Sequence, residues 1–365
     1  MKGRGTARLK LVSSVVVAAL SLSAANALPS SEATSAAGGP SAFFGIAPQT
    51  SLRSDDLSLM RRTGIGSLRF PIYWSESEPA PGVFDWRTTD ARLALASRDG
   101  LNLLPFVYSS PAWVAPTWVR MPVRTPAQRR AWSRFLRALV GRYGPGGDFW
   151  ELHPELPGRP LRTWQIWNEE NAHRHAEASV RDYARLLRGS APAIRSVDPG
   201  ARVLLGGLYA APGEESATDA PEFLDRLYRY RGIKGLFDAA ALHPYAADPG
   251  LMAAHIAALR AVMRSNGDGR TPLYVTEFGW GSQTQAAGGD GFERGPAAQA
   301  DYLKRAWAIL LRNRRRWRLE SAYWFTWQDI PAWSTRCGFC DSTGLLGLDG
   351  LPKAALRGFA EMAHR

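Results

Sequence analysis

Thr163-Trp164-Gln165-Ile166-Trp167-Asn168-Glu169-Glu170-Asn171 opens as a short, mostly apolar run and turns abruptly into a polar loop bearing two adjacent carboxylates. The same change of character recurs at Leu273-Tyr274-Val275-Thr276-Glu277-Phe278-Gly279-Trp280. Runs this short, rich in β-branched and aromatic residues, read as buried strands. Further runs at residues 43–46, 66–70, 101–107, 203–205, 237–242 and 322–325 bring the total to eight. Between them, residues 127–140, 180–187, 251–263 and 297–311 place apolar side chains three and four apart, the spacing of one helix face. Strands alternating with helices pair in parallel through right-handed crossovers. Eight such units over residues 41–365 take about 40 residues each, which predicts a single (β/α)8 TIM barrel of the α/β class. An open doubly wound sheet is disfavoured because no glycine-rich phosphate loop follows the first run. Neither an internal repeat nor a second domain is visible.

The ends of the 365-residue chain differ from its middle. Lys2, Arg4, Arg8 and Lys10 precede an apolar stretch over residues 11–22, and Ala25-Asn26-Ala27 supplies small residues for cleavage. Residues 1–27 therefore read as a secretory signal peptide, too short in its apolar part to span a bilayer. Residues 28–40, with Pro29, Gly38, Gly39 and Pro40 among small polar neighbours, read as a linker. The catalytic domain is then residues 41–365, secreted or otherwise extracytoplasmic, with no stable membrane insertion after cleavage.

Loss of the four basic residues of the signal, which holds no acid, lowers the formal charge from +12 to +8. Arginine carries most of that charge, densest at residues 312–318, where a basic helix end complements the helix dipole. An anionic-surface contact is the other reading of this cluster, while export and the absence of a nucleic-acid motif argue against DNA or RNA as a partner. Cys337 and Cys340 are the two cysteines, and in an exported chain they predict a local disulfide. Two thiols alone do not make a zinc site.

Glu169 follows the fourth run and Glu277 the seventh, so the barrel would bring both acids to one mouth, where barrel enzymes keep their reactive groups. At this point the sequence resembles the clan of retaining glycoside hydrolases with (β/α)8 barrels, the xylosidase-like, cellulase-like and exopolysaccharide-hydrolase families. The Asn168-Glu169 pair matches the acid/base motif after strand four, and Glu277 the nucleophile after strand seven. Arg69 in Leu68-Arg69-Phe70 matches the strand-two arginine beside the nucleophile, and His243-Pro244-Tyr245 the His-x-Tyr pattern after strand six. Trp327 in Phe325-Thr326-Trp327 matches the strand-eight tryptophan that supports the sugar. The resemblance spans nearly the whole chain after residue 27.

Two departures stand out. Glu170 occupies the place where many relatives carry proline, so two acids lie side by side; neighbouring side chains point to opposite faces, which leaves one for the cleft. Asn168 before it favours Glu169. Phe106-Val107-Tyr108 stands where the cellulase-like branch often carries a histidine.

What the resemblance implies is exported hydrolysis of O-glycosidic bonds in a polysaccharide or oligosaccharide by double displacement. Glu277 must stay ionised to attack, with Arg69 and Tyr245 as the nearby positive charge and donor. Glu169 must start protonated, through a carboxyl raised by burial or by the charge of Glu277. Asn168 would bind the sugar 2-hydroxyl, and Trp74 and Trp280 are the expected subsite walls. His173 and His175 read as loop residues facing substrate or solvent, since no third metal ligand accompanies them. No metal and no cofactor is expected, and the protein is expected to be a monomer. A Schiff-base aldolase lacks a strand-end lysine, because Lys234, Lys304 and Lys353 all lie elsewhere. The rival from another class is a catalytically inactive carbohydrate-binding barrel.

Overall fold

A computed structural model of the chain describes residues 41–210, 218–284, 292–332, 337 and 339–365. The expected signal peptide and linker lie outside the described residues, as does Trp333, an aromatic residue that follows the eighth apolar run. Among the described residues nine strands form one parallel sheet: β1 (Phe44–Ile46), β2 (Ser67–Tyr73), β3 (Asn102–Tyr108), β4 (Thr163–Ile166), β5 (Arg202–Leu205), β6 (Leu208–Tyr209), β7 (Ala240–His243), β8 (Leu273–Phe278) and β9 (Leu319–Trp324). Their order is β5-β4-β3-β2-β1-β9-β8-β7-β6, so first and last strands are neighbours. β5 and β6 are one strand broken at Gly206-Gly207, and a parallel bridge from Leu204 to Ala239 links the broken strand to the segment entering β7. Counted that way the sheet is the eight-stranded barrel read from the sequence, each strand lying on its expected run.

The outer layer consists of α1 (Ser54–Arg62), α2 (Trp74–Ser77), α3 (Arg87–Arg98), α4 (Pro126–Tyr143), α5 (Asp148–Leu152), α6 (Val180–Arg195), α7 (Ala220–Tyr228), α8 (Pro249–Ser265), α9 (Pro296–Trp317) and α10 (Ala354–Ala363). Local chemistry sets their starts. Thr125 and Ser179 cap α4 and α6 in reciprocal boxes with Gln128 and Asp182, and Asp219 and Asp248 cap α7 and α8. Proline stands at the first turn of α4, α7, α8 and α9, where no amide hydrogen is needed. The strands are buried on both faces, as parallel sheets covered by helices must be.

The arginine cluster closes α9, with Arg314, Arg315 and Arg316 in its last turn. Arg314 lies over the Phe43 ring at 4.1 Å. Cys337 and Cys340 are joined in the expected disulfide. Among the described residues no helix is long and apolar enough to cross a membrane.

Candidate active site

Glu277 lies one residue from the end of β8, and Arg69 points into the barrel from the middle of β2. The Arg69 guanidinium spends each of its nitrogens: Nη1 donates to Glu277 Oε1 at 2.6 Å, Nη2 to Asn168 Oδ1 at 2.7 Å, and Nε to Gln165 Oε1 at 2.7 Å. Its carbon sits 4.0 Å above the Phe106 ring. Tyr245 OH donates to the other Glu277 oxygen at 2.8 Å. Gln165 is held in turn, its Nε2 donating to Leu205 O at 2.9 Å. It is a positioning residue that the sequence reading passed over, although a glutamine inside an apolar strand run was a visible signal.

The chain leaves β4 under backbone tension. Trp167 and Glu169 both adopt left-handed conformations, with φ of 74° and 46°, which side chains larger than glycine rarely accept. Neighbouring bonds hold the turn: Glu169 O accepts from Ala172 N at 2.9 Å, and Asn171 ties it to the next loop. The Asn171 side chain donates to Tyr209 O and Thr218 O and accepts from Tyr209 N. Asn171 is a second residue whose role sequence reasoning missed.

This turn sends the adjacent acids to different places. Glu169 Oε1 lies 2.7 Å from His243 Nδ1, and its Oε2 lies 3.0 Å from His175 Nε2 and 4.0 Å from Arg174. His243 is fully buried at the end of β7, and its Nδ1 is also 3.7 Å from Glu277 Oε2. One donor atom from each of Glu169, His243 and Glu277 falls within 4.8 Å of the others. Glu170 instead is buried beside Tyr183 and Gly206. The Tyr183 hydroxyl already donates to Ile166 O and accepts from Gly206 N, so neither Glu170 oxygen gains a hydrogen bond.

Electrostatics separates the pair further. Burial pushes the Glu170 carboxyl up to about 8. Burial also opposes ionisation of Glu169, but His175, and then His243, outweigh it and hold the carboxyl well below its usual range. The sequence reading expected Glu169 to be raised. It did not foresee a second imidazole on the same carboxylate.

The structure thus brings together Arg69, Asn168, Glu169, His243, Tyr245 and Glu277, and it does not bring the three tryptophans to them. Trp74 packs on Trp132 and Phe135 of α4, with its indole nitrogen donating to Glu78. Trp280 donates to Ala246 O and meets Tyr302 of α9. Trp327 is buried below α1, its nitrogen 3.1 Å from Asp56. Phe325, two residues earlier and directly after β9, is the aromatic that stands beside Tyr245, at 6.3 Å between ring centroids. Trp118 is half exposed and stands edge-on to Tyr108. It lines a cavity of about 690 Å³ with Ser75, Ser110, His173, Arg174 and Glu177.

No family model and no curated protein sequence matches the chain. Among solved structures its fold is similar to that of a family 39 glycoside hydrolase from the gut symbiont Bacteroides cellulosilyticus. The two are 21% identical, with a TM-score of 0.68, over 89% of this chain and 64% of the other, so this chain spans just under two thirds of that protein. It is also similar to a GH5_18 structure from Streptomyces cattleya in complex with GlcNAc, at 17% identity and a TM-score of 0.64, covering 90% and 81% of the two chains. A monomeric beta-xylosidase from Caulobacter crescentus gives 18% identity and a TM-score of 0.60 over 88% and 68%. What the chain shares with these proteins is the (β/α)8 barrel.

Proposed function

We propose that the chain is an exported retaining glycosidase that cleaves β-linked saccharides by double displacement, with Glu277 as nucleophile and Glu169 as acid/base. The observation that carries this reading is the pair of carboxylates set across the barrel mouth, with an oxygen of each and a nitrogen of His243 all within 4.8 Å of one another. Retaining enzymes keep their two carboxyls about 5–5.5 Å apart, and inverting ones leave room for a water between them. The names of the structurally similar proteins favour a saccharide substrate, the xylosidase among them a β-linked one. Export rests on residues 1–27 and on the Cys337–Cys340 disulfide, which persists in oxidising compartments.

Each residue then has a task. Arg69 and Tyr245 orient one Glu277 oxygen each and leave the carboxylate facing the anomeric carbon. Asn168 gives its carbonyl oxygen to Arg69, so its amide nitrogen is the remaining donor for the sugar 2-hydroxyl. Glu169 protonates the departing oxygen and later takes a proton from the attacking water. Trp118 offers an exposed aromatic face on which a pyranose can stack.

Glu277→Gln is expected to lower turnover of aryl glycosides by about a thousandfold or more, as removal of a nucleophile should. In Glu277→Gly, which empties the nucleophile's place, azide should restore turnover and give a glycosyl azide of inverted configuration. The first sugar released by the wild-type enzyme, followed by NMR, should keep its anomeric configuration. Inverted product would remove the double displacement, an undiminished rate in Glu277→Gln would mean a different nucleophile, and no turnover by the wild type would leave a binding barrel.

A further inference from the structure

Glu169 is bracketed by two imidazoles, and only the buried one on β7 belongs to the pattern the sequence resembles. The other, His175, sits on the loop after β4 with 28% of its side chain exposed. Its place is fixed from several sides. The carbonyl oxygen of His175 accepts from Trp167 Nε1 at 2.9 Å and from Tyr108 OH at 3.2 Å. The same Tyr108 hydroxyl also lies 3.3 Å from His175 Nδ1. The other ring nitrogen faces the Glu169 carboxylate at 3.0 Å. Nε2 thus faces a carboxylate, and Nδ1 faces a hydroxyl that can give or take a proton, so the ring can stand beside Glu169 either as the Nε2–H imidazole or as the imidazolium. The charged and titratable groups around the ring are Glu169 and Arg174 on its own loop, Tyr108 on β3, and Glu277 on β8 at longer range.

We propose that His175 is the proton reserve of the acid/base: Glu169 and His175 hold one exchangeable proton between them, and the leaving oxygen is protonated from this pair. The inference rests on the glycosidase reading above. In the first step Glu277 bonds to the anomeric carbon and the glycosidic C–O bond breaks, its electron pair going to the departing oxygen. The shared proton passes through Glu169 to that oxygen, leaving a carboxylate beside a neutral imidazole. In the second step water bonds to the anomeric carbon and the Glu277–carbon bond returns its electrons to Glu277. The proton lost by the water recharges the pair. Glu169 touches the reacting atoms and is the catalytic residue, whereas His175 acts through it. Burial works against a charge on His175, but the neighbouring carboxylate of Glu169 outweighs it and holds the imidazolium to higher pH than a free imidazole.

The test compares pH profiles of kcat/KM for wild type and His175→Gln, whose amide still donates to Glu169 but cannot carry a proton. With a phenyl glycoside, whose leaving oxygen needs a proton, the basic limb of the variant should fall by about one pH unit or more. Its rate at pH 7 should drop by about tenfold. With a 2,4-dinitrophenyl glycoside, which leaves unassisted, the rate should stay within about threefold of wild type. Equal losses on both substrates, or an unmoved basic limb, would overturn the reserve role and leave His175 as a packing residue. A second measurement stands apart from turnover. An NMR titration of the His175 ring in the intact protein should show its midpoint falling by about one unit in Glu169→Gln. An unchanged midpoint overturns the pair even in an active glycosidase, and a shifted midpoint in a protein without activity keeps the pair while refuting the enzyme reading.

Discussion

Glu169 and Glu170 are neighbours in the chain and opposites in chemistry, and the cause lies in what each carboxyl can reach. Glu169 meets two imidazoles, at 2.7 and 3.0 Å, so its negative charge is compensated although it is buried. Glu170 meets a hydroxyl and an amide already bonded to each other, which offset its burial too little, and the carboxyl is held towards its neutral form. Burial raises it from an ordinary 4.5 to about 8. Between those values the folded chain keeps a proton that the unfolded chain has released. The stability contributed by this neutral group is therefore complete below about pH 4.5 and is lost as pH rises through about 8. Glu170→Gln keeps the neutral shape and abolishes the titration. In urea denaturation its midpoint should fall less between pH 5 and pH 8 than that of wild type. Parallel slopes for the two proteins would mean that the carboxylate finds solvent or a partner and is not held neutral. Sequence parity was enough to show that one of the two acids must turn away from the cleft. It could not show that the rejected one lands in a dry pocket, because Tyr183 comes from α6 and Gly206 from the far end of β5.

At the scale of the element, the break between β5 and β6 is what makes room for the site. Gly207 has φ of 93°, and a β-carbon there would stand 2.4 Å from His243 Nε2 and 2.9 Å from Thr276 Oγ1. A β-carbon on Gly206 would meet Glu170 Oε2 at 2.4 Å. Gly207→Ala thus strains the backbone by about 1–2 kcal/mol and drives into an imidazole that cannot retreat. His243 would be pushed off Glu169, and kcat/KM should fall by about tenfold or more, measured at a temperature where circular dichroism still reports the native fold. An unchanged kcat/KM would show that His243 does not need its present position. The sequence made the eight runs, and the acids that follow two of them, legible because burial on both faces writes a short apolar block. Tryptophan direction was not legible. Trp74 and Trp280 do follow strand ends, but a shift of one residue decides whether such a side chain faces the mouth or the helix layer, and both face helices. His175 was equally hidden, since its approach to Glu169 depends on Trp167 and Tyr108 catching its carbonyl.

For the whole molecule, the site exists because the sheet closes, and it closes where β1 is wedged between β2 and β9. Gly45 pairs in register with Ser67 on one side and Tyr323 on the other. The Tyr323 ring lies across the glycine, and its hydroxyl reaches Ser67 Oγ at 2.8 Å on the far strand. A β-carbon at Gly45 would stand 2.3 Å from that ring. Tyr323 is buried and anchored at its tip, so the ring has little freedom to give way. Gly45→Ala should therefore cost about 1–3 kcal/mol, the usual penalty for overpacking a filled interior. Thermal unfolding should remain one cooperative transition at a lower Tm, because the seam belongs to the barrel as a unit and not to one element. Glu169 and Glu277, the acids proposed as catalytic, follow or close the C-terminal ends of their strands, above this layer, so kcat at a temperature where the variant is folded should stay within about threefold of wild type. Replacing Tyr323 by Leu removes the obstructing ring, and in the Gly45→Ala background it should cost less stability than it does alone. That non-additivity is the signature of a direct contact. If the two substitutions add, or if Gly45→Ala leaves Tm unmoved, the barrel closes with slack at this seam and its closure is carried by the other strand pairs.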